Sequence, residues 1–476
     1  MSTSLYFAVA STLSTSHPSA TYCAKMLAGQ YSEAATIAAA RADYDRAGFQ
    51  PTYADMQAYA DVQLVLGRYE DAEETYRRAQ KSMLGDRGTM RAALSRNAGW
   101  QALFQNHMGT ALMCFRRVME DELATPIQKC ECTVGTILVL FNLGRLDTVR
   151  LRLETLGELA RDADDPRWRR LADTLRHELL AQYRLRASEP LSDHIYWRSV
   201  ILEFVPNALV DGLAILSDDN TPAIEVLSKR ADFLNNLLVL SRGSHAGLAQ
   251  IDTYLRWSQS AGLHGYHRGL RLEVALAALA SKSADVAENM LRMFRDVSMH
   301  ANQNARWYLE YLYCHSKVHQ QHGRMLEHAQ TYGRYALLSI KHVRADSEAM
   351  PTAPEERVIP APDDLSARLP GKYRRAYRYL VDHLECADLS VREVANHIGV
   401  SERALQAAFK THLGLSPSEL IRGKRMEHIR GELMANDDQA ASVLQIASRW
   451  GVQHRSTLLN GYRKMYREAP SETLSR

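Results

Sequence analysis

Two stretches near the end of the chain decide its reading: HIGVSERALQAAFKTHLGLSP, residues 397–417, and RWGVQHRSTLLNGYRKMYREAP, residues 449–470. Laid over each other, Gly399 meets Gly451, Leu405 meets Leu458, Phe409 meets Tyr462 and Pro417 meets Pro470. Each contains a helix end, a glycine that permits a sharp turn, and a second amphipathic helix, which is the pattern of a helix-turn-helix. In the first unit Ser390 and Glu393 have capping-box spacing ahead of Val394, Ala395 and Ile398. Ser401 caps the following helix. There Ala404, Leu405, Ala408 and Phe409 turn inward, leaving Glu402, Arg403, Gln406, Ala407 and Lys410 outward. In the second unit Ser442 and Gln445 take the capping positions, and Leu444, Ile446, Ala447 and Trp450 are apolar. Arg455, Ser456, Leu459, Asn460 and Arg463 lie outward. The second turn is one residue longer: Gly399 to Leu405 is six steps, Gly451 to Leu458 seven. The two units fall at about 391–411 and 442–464.

A single match of this kind is weak, because many helical hairpins satisfy it. The repetition makes it strong, and the outward residues suit DNA. Arginine bonds guanine and glutamine bonds adenine through two hydrogen bonds each, and Lys410 suits a phosphate. Between the units runs SPSELIRGKRMEHIRGELMA, residues 416–435, with Ser416 and Glu419 as a capping box and Pro417 preset for the first helical position. Twenty helical residues span ~30 Å, close to the ~34 Å of one DNA turn. The reading is two readers on one rigid spacer, reaching successive major grooves of one duplex.

With these residues in hand, 372–476 resembles the AraC/XylS-type DNA-binding domain. The matching residues are Ala395, Gly399, Ser401, Leu405, Phe409, Gly414, Pro417, Arg425, Ile446, Ala447, Gly451, Ser456 and Pro470. The resemblance implies that Arg403, Gln406 and Ala407 read bases in the first unit, and Arg455, Ser456, Leu459 and Asn460 in the second. The chain departs from the family at Val452 and Leu458, where phenylalanine is usual, and at Arg467, where glycine is usual. A non-glycine residue in a left-handed turn costs of order 1 kcal/mol. A looser second reader is therefore expected.

The rest of the chain is read as helical. With 476 residues, two or three domains are expected. ADVQLVLGRYEDAEETYRRA, residues 60–79, has small and aromatic residues where a tetratricopeptide (TPR) unit wants them, at Ala60, Gly67, Tyr69, Ala72, Tyr76 and Ala79. Weaker copies place Tyr31, Met108 and Leu146 in the position of Tyr69, a beat of 38 or 39 residues. Beyond Pro190 the period blurs. Residues 1–345 are expected to be a TPR-like α-solenoid, regular at first and degenerate later. Residues 346–371, rich in proline, form a linker, and 372–476 form the DNA-binding domain. The fold class is all-α. A long helical, repeat-like region ahead of this C-terminal domain resembles the HrpB/HrpX group of type III secretion gene activators. That resemblance implies binding to direct repeats in double-stranded promoter DNA, recruitment of RNA polymerase, and an N-terminal region that meets a protein partner or another copy of itself. The alternative is a non-catalytic TPR-type adaptor without specific DNA binding.

Charge favours the first reading. Residues 371–476 carry 17 Lys+Arg against 12 Asp+Glu, a net of +5, which leaves −2 on the other 370 residues. The six scattered cysteines imply no disulfide framework, so a cytoplasmic protein is expected. The N-terminal apolar run is short and has no Lys or Arg before Lys25, a poor signal peptide, and no run reaches the ~18 apolar residues of a membrane span. No phosphate-binding glycine loop and no G-x-S-x-G elbow occurs, so no enzyme activity and no cofactor is expected. His315, His319 and His322 share a helix face without an accompanying H-E-x-x-H motif, and Cys130 and Cys132 read as packed thiols. No metal site is expected.

Overall fold

The structure, a computed structural model, describes residues 3–15, 19–43, 50–82, 87–203, 215–218, 220–294, 306–349, 369–435, 443–466 and 468–474. Among the described residues all regular structure is helical, and the fold is all-α. The chain divides into two compact units, Met1–Val358 and Ile359–Arg476. The division falls in the proline-rich stretch, of which 350–368 lie outside the described residues.

The N-terminal unit is a succession of helical hairpins. Tyr31, Tyr69, Met108 and Leu146, the residues that set the sequence beat, are each the first residue of a hairpin's second helix. The residue two positions earlier is left-handed every time: Gly29, Gly67, Asn106 and Gly144, at φ 77°, 77°, 62° and 71°. The same device recurs past Pro190 at Gly262, Lys282 and Gly323, ahead of helices starting at His264, Ala284 and Met325. The period blurs there in sequence because Lys282 (φ 61°), like Asn106, does a glycine's job. His267, read as part of a loop, lies in the helix His264–Ala280 with its ring buried and 2.8 Å from the Ser258 hydroxyl.

Small residues bring the hairpins together. The Phe115 ring lies between Gly99 and Gly135, where a Cβ would come within 2.6 and 2.5 Å of it. The first helix, Thr3–Ser14, is buried along nearly its whole length. Its apolar run belongs to the core, packed against the helices Pro126–Asn142 and Arg167–Arg186. Three buried arginines stitch remote segments. Arg96 bonds Asp61 at 2.7 and 2.8 Å and Glu131 at 2.8 Å. Arg186 donates to Glu310 at 3.1 Å, and Arg230 bonds Glu178 at 2.7 and 2.6 Å.

The C-terminal unit has two apolar cores on one helix. Pro417–Ala435 gives Leu420 and Ile421 to a cluster with Leu380, Val394, Ala395, Leu405 and Phe409. It gives Met426, Ile429 and Leu433 to a second cluster with Ile446, Ala447, Val452, Leu458 and Tyr462. Trp450 packs against both. Nineteen residues at ~1.5 Å each make this a rod of about 28 Å.

Candidate nucleic-acid interface

Each half of the C-terminal unit is a short helix, a glycine turn and a longer helix. The first pair is Val391–His397 and Glu402–Leu413, the second Val443–Arg449 and Arg455–Tyr466. Gly399 and Gly451 both turn with positive φ, 64° and 68°. The longer helix starts three residues after Gly399 and four after Gly451, so the extra residue is absorbed in the turn. Ser390 and Ser401 accept hydrogen bonds from the amides of Glu393 and Ala404, both at 3.2 Å. The Glu393 carboxylate does not reach back to the Ser390 amide as the capping-box reading expects. It accepts the Tyr379 hydroxyl at 2.7 Å, tying the helix Gly371–Asp382 to the first unit. The box at Ser416 is reciprocal: its amide donates to Glu419 at 2.8 Å, and the Glu419 amide to its hydroxyl at 3.3 Å. Those bonds, the backbone one first, lower the Glu419 pKa.

Arg403, Gln406, Ala407 and Lys410 are all exposed and follow one another at i, i+3, i+4 and i+7, a single helix face. Leu405, Phe409 and Leu413 hold the opposite face in the core. Arg455, Ser456, Asn460 and Arg463 are likewise exposed on Arg455–Tyr466. Leu459 is half-buried rather than fully outward. Leu444, read as apolar packing, is 42 % exposed, and Val443 packs on the core in its place. Ser442 and Arg467 lie outside the described residues. Val452 and Leu458, where the family has phenylalanine, are both buried in the second core.

Cations on and off this face differ. Lys424, Arg430 and Arg449 pair with Glu427, Glu468 and Glu432. Among the described residues Arg403, Lys410, Arg455 and Arg463 make no such pair. Unpaired cations on one helix face leave a surface suited to an anion.

What sequence reasoning matched but gave no role is Arg425. Its guanidinium donates to the carbonyls of Leu384 at 2.9 Å, Cys386 at 2.6 Å and Gly451 at 3.3 Å. One side chain of the connecting helix thereby ties the end of the first unit to the turn of the second. A Cβ at Gly451 would lie 2.8 Å from Arg425 Nη2, whereas one at Gly399 would meet nothing within 4 Å. Trp450 adds a second tie, donating to Glu432 at 2.9 Å and stacking on His428 at 4.1 Å.

A helix-turn-helix domain family matches residues 394–476. The chain is 36% identical over 460 residues to the regulatory protein HrpB of Ralstonia nicotianae, covering 91% of this chain and 94% of that protein. The chain belongs to the AraC/XylS-type regulators. An XylDLEGF operon transcriptional activator of Pseudomonas putida is 30% identical over 104 residues, 22% of this chain and 31% of that one. No solved structure matches. As a member of this family the protein is a DNA-binding transcriptional regulator, not an adaptor that merely carries extra helices. Among the described residues no helix is long and apolar enough to cross a membrane. No group of three or more His, Cys, Asp and Glu there is placed to hold a metal ion. His315 and His319 have ring centroids 4.5 Å apart, while His322 turns to Glu288 at 3.4 Å.

Proposed function

We propose that this regulator activates type III secretion genes by reading direct repeats in promoter DNA. Identity to HrpB across nearly the whole chain supports the gene class. The observation that carries the DNA-reading part is the pair of exposed, unpaired faces held on one connecting helix by Arg425. In this reading Arg403 bonds a guanine, Gln406 an adenine, and Ala407 makes apolar contact with a base edge. Arg455, Ser456, Leu459 and Asn460 read the next groove, and Lys410 and Arg463 hold phosphates. The N-terminal hairpins serve as a TPR-like regulatory region for a protein partner or a second copy. RNA polymerase is the downstream partner. The protein acts in the cytoplasm and has no catalytic role.

The test is fluorescence anisotropy with the full chain on duplexes from upstream of secretion genes and on shuffled duplexes, across salt. With ~6–10 phosphate contacts, affinity should fall ~10³–10⁵-fold between 50 and 200 mM salt, the promoter preference persisting. Equal binding to promoter and shuffled duplex at every salt concentration contradicts the proposal.

A further inference from the structure

The N-terminal unit holds a cavity of about 440 Å³ that has no part in DNA reading. Its lining comes from six or more remote segments, among them Ser4, Tyr69, Phe104, Asn142, Arg268 and Trp307. That volume lies in the ~300–1,000 Å³ range of small-molecule sites.

Two charged groups in its wall are incompletely satisfied. Arg268 stands over the Trp307 ring at 4.6 Å, and its charge reaches Tyr69, the next wall residue. Among the described residues it makes no ion pair. A guanidinium stacked on an indole keeps its N–H edge free for a carboxylate. Glu273, 2 % exposed, is the opposite case. Its nearest cation, Arg230, is engaged by both oxygens of Glu178 at 2.7 and 2.6 Å. Glu273 Oε1 accepts only a longer bond from Arg230 Nη2 at 3.1 Å. Its Oε2 lies 2.9 Å from that nitrogen but off the line of any N–H, so it receives no hydrogen bond. Burial raises the Glu273 pKa; Arg230 opposes this, Glu178 adds to it, and Arg186 and the chain's amino terminus pull it down less. Glu310, the other carboxylate in the wall, is different: Arg186 and Trp197 donate to its Oε1 at 3.1 and 3.2 Å.

An unpaired guanidinium and an under-bonded buried carboxylate thus line one cavity, with the aromatic surfaces of Tyr69, Phe104 and Trp307 beside them. Both charges come from the helix His264–Ala280, five residues or about 7.5 Å of helix rise apart. We propose that this cavity binds a small zwitterion of the amino-acid or dipeptide class, its carboxylate on Arg268, its ammonium on Glu273 and an apolar body against the aromatic wall. A cation alone faces Arg268, and an anion alone faces Glu273, so neither satisfies both groups.

The test is calorimetry and thermal melting of the full chain, without DNA, so that it stands apart from the promoter-reading proposal. The probes are phenylalanine, glycyl-phenylalanine, phenethylamine and phenylacetate. One of the two zwitterions should bind about tenfold tighter than either single-charge probe. Arg268→Ala should reduce the zwitterion to the level of phenethylamine, and Glu273→Gln to that of phenylacetate. If the buried Glu273 variant does not fold, Arg268→Ala, at a half-buried position, decides alone. The proposal is overturned if neither zwitterion binds at millimolar concentration, if a single-charge probe binds as tightly, or if Arg268→Ala changes nothing.

Discussion

The N-terminal unit buries Arg96, Arg186 and Arg230, each locked to carboxylates remote in sequence, whereas among the described residues of the C-terminal unit Thr473 is the only buried polar side chain. The first unit must hold many hairpins in one arrangement. Its networks give that arrangement directional partners, at the risk that losing one member strands the others. The second must present charge to solvent, so its cores are apolar, its cations lie outside, and one half-exposed arginine, Arg425, ties its halves through backbone carbonyls. Charge is an internal fastener in one unit and an external contact surface in the other.

The sharpest way to break this contrast is to remove one arginine from each unit. Arg96→Ala leaves Asp61 and Glu131 buried without their cation and should cost ~3–5 kcal/mol in urea unfolding of the full chain. Arg430→Ala, whose partner Glu468 is nearer the surface and whose guanidinium covers Tyr466, should cost only about 1 kcal/mol. Comparable losses would remove the distinction.

The two turn glycines sharpen it within the C-terminal unit. Gly399→Ala meets open space and should cost ~1–2 kcal/mol from its positive φ alone. Gly451→Ala also displaces Arg425 and should add ~1–3 kcal/mol, with a fall in promoter affinity that Gly399→Ala does not match. Melting and anisotropy on the same pair of variants check both.

At the outer face, Arg403→Ala should cost ~1–3 kcal/mol and relax preference at one base position, while Lys410→Ala weakens every sequence alike and lowers the salt slope by about 1. Equal losses from both changes on all sequences would contradict those roles.

Acid gives the smallest separation. Burial works to raise the Glu178 and Glu310 pKa values, but Arg230 and Arg186 prevail and hold both below the usual carboxylate range. A carboxylate held low contributes its stabilisation fully above its unfolded pKa of about 4.3 and loses it as pH falls further. Glu273, held high, works in the opposite sense. Amide exchange should therefore show the N-terminal unit loosening first below about pH 4.

Much of this was legible in the sequence, for physical reasons. Tyr31, Tyr69, Met108 and Leu146 could be aligned because each begins a second helix after a left-handed residue, and glycine marks three of the four turns. The later hairpins escaped because Lys282 occupies the same conformation with no compositional trace. The reader faces followed from helical periodicity, which separates Leu405 and Phe409 from Arg403 and Gln406. Arg425 could be matched but not interpreted, because its acceptors are carbonyls 26 to 41 residues away. The buried charges were equally hidden: Glu131, in the middle of a CEC triplet, looks like any helical glutamate until Arg96 and Ser14 close on it. Glu393 and Leu444 went astray where a tertiary partner, or its absence, overrode a local pattern.

The central claim is that one rigid helix sets two readers a fixed distance apart on a single duplex. Hydroxyl-radical footprinting of the full chain on a direct-repeat promoter, with and without five base pairs inserted between the repeats, tests it most directly. The account predicts two protected grooves about 10 base pairs apart on one face of the DNA, and loss of one of them on insertion. A single protected groove, or two that persist unchanged after the insertion, would contradict it.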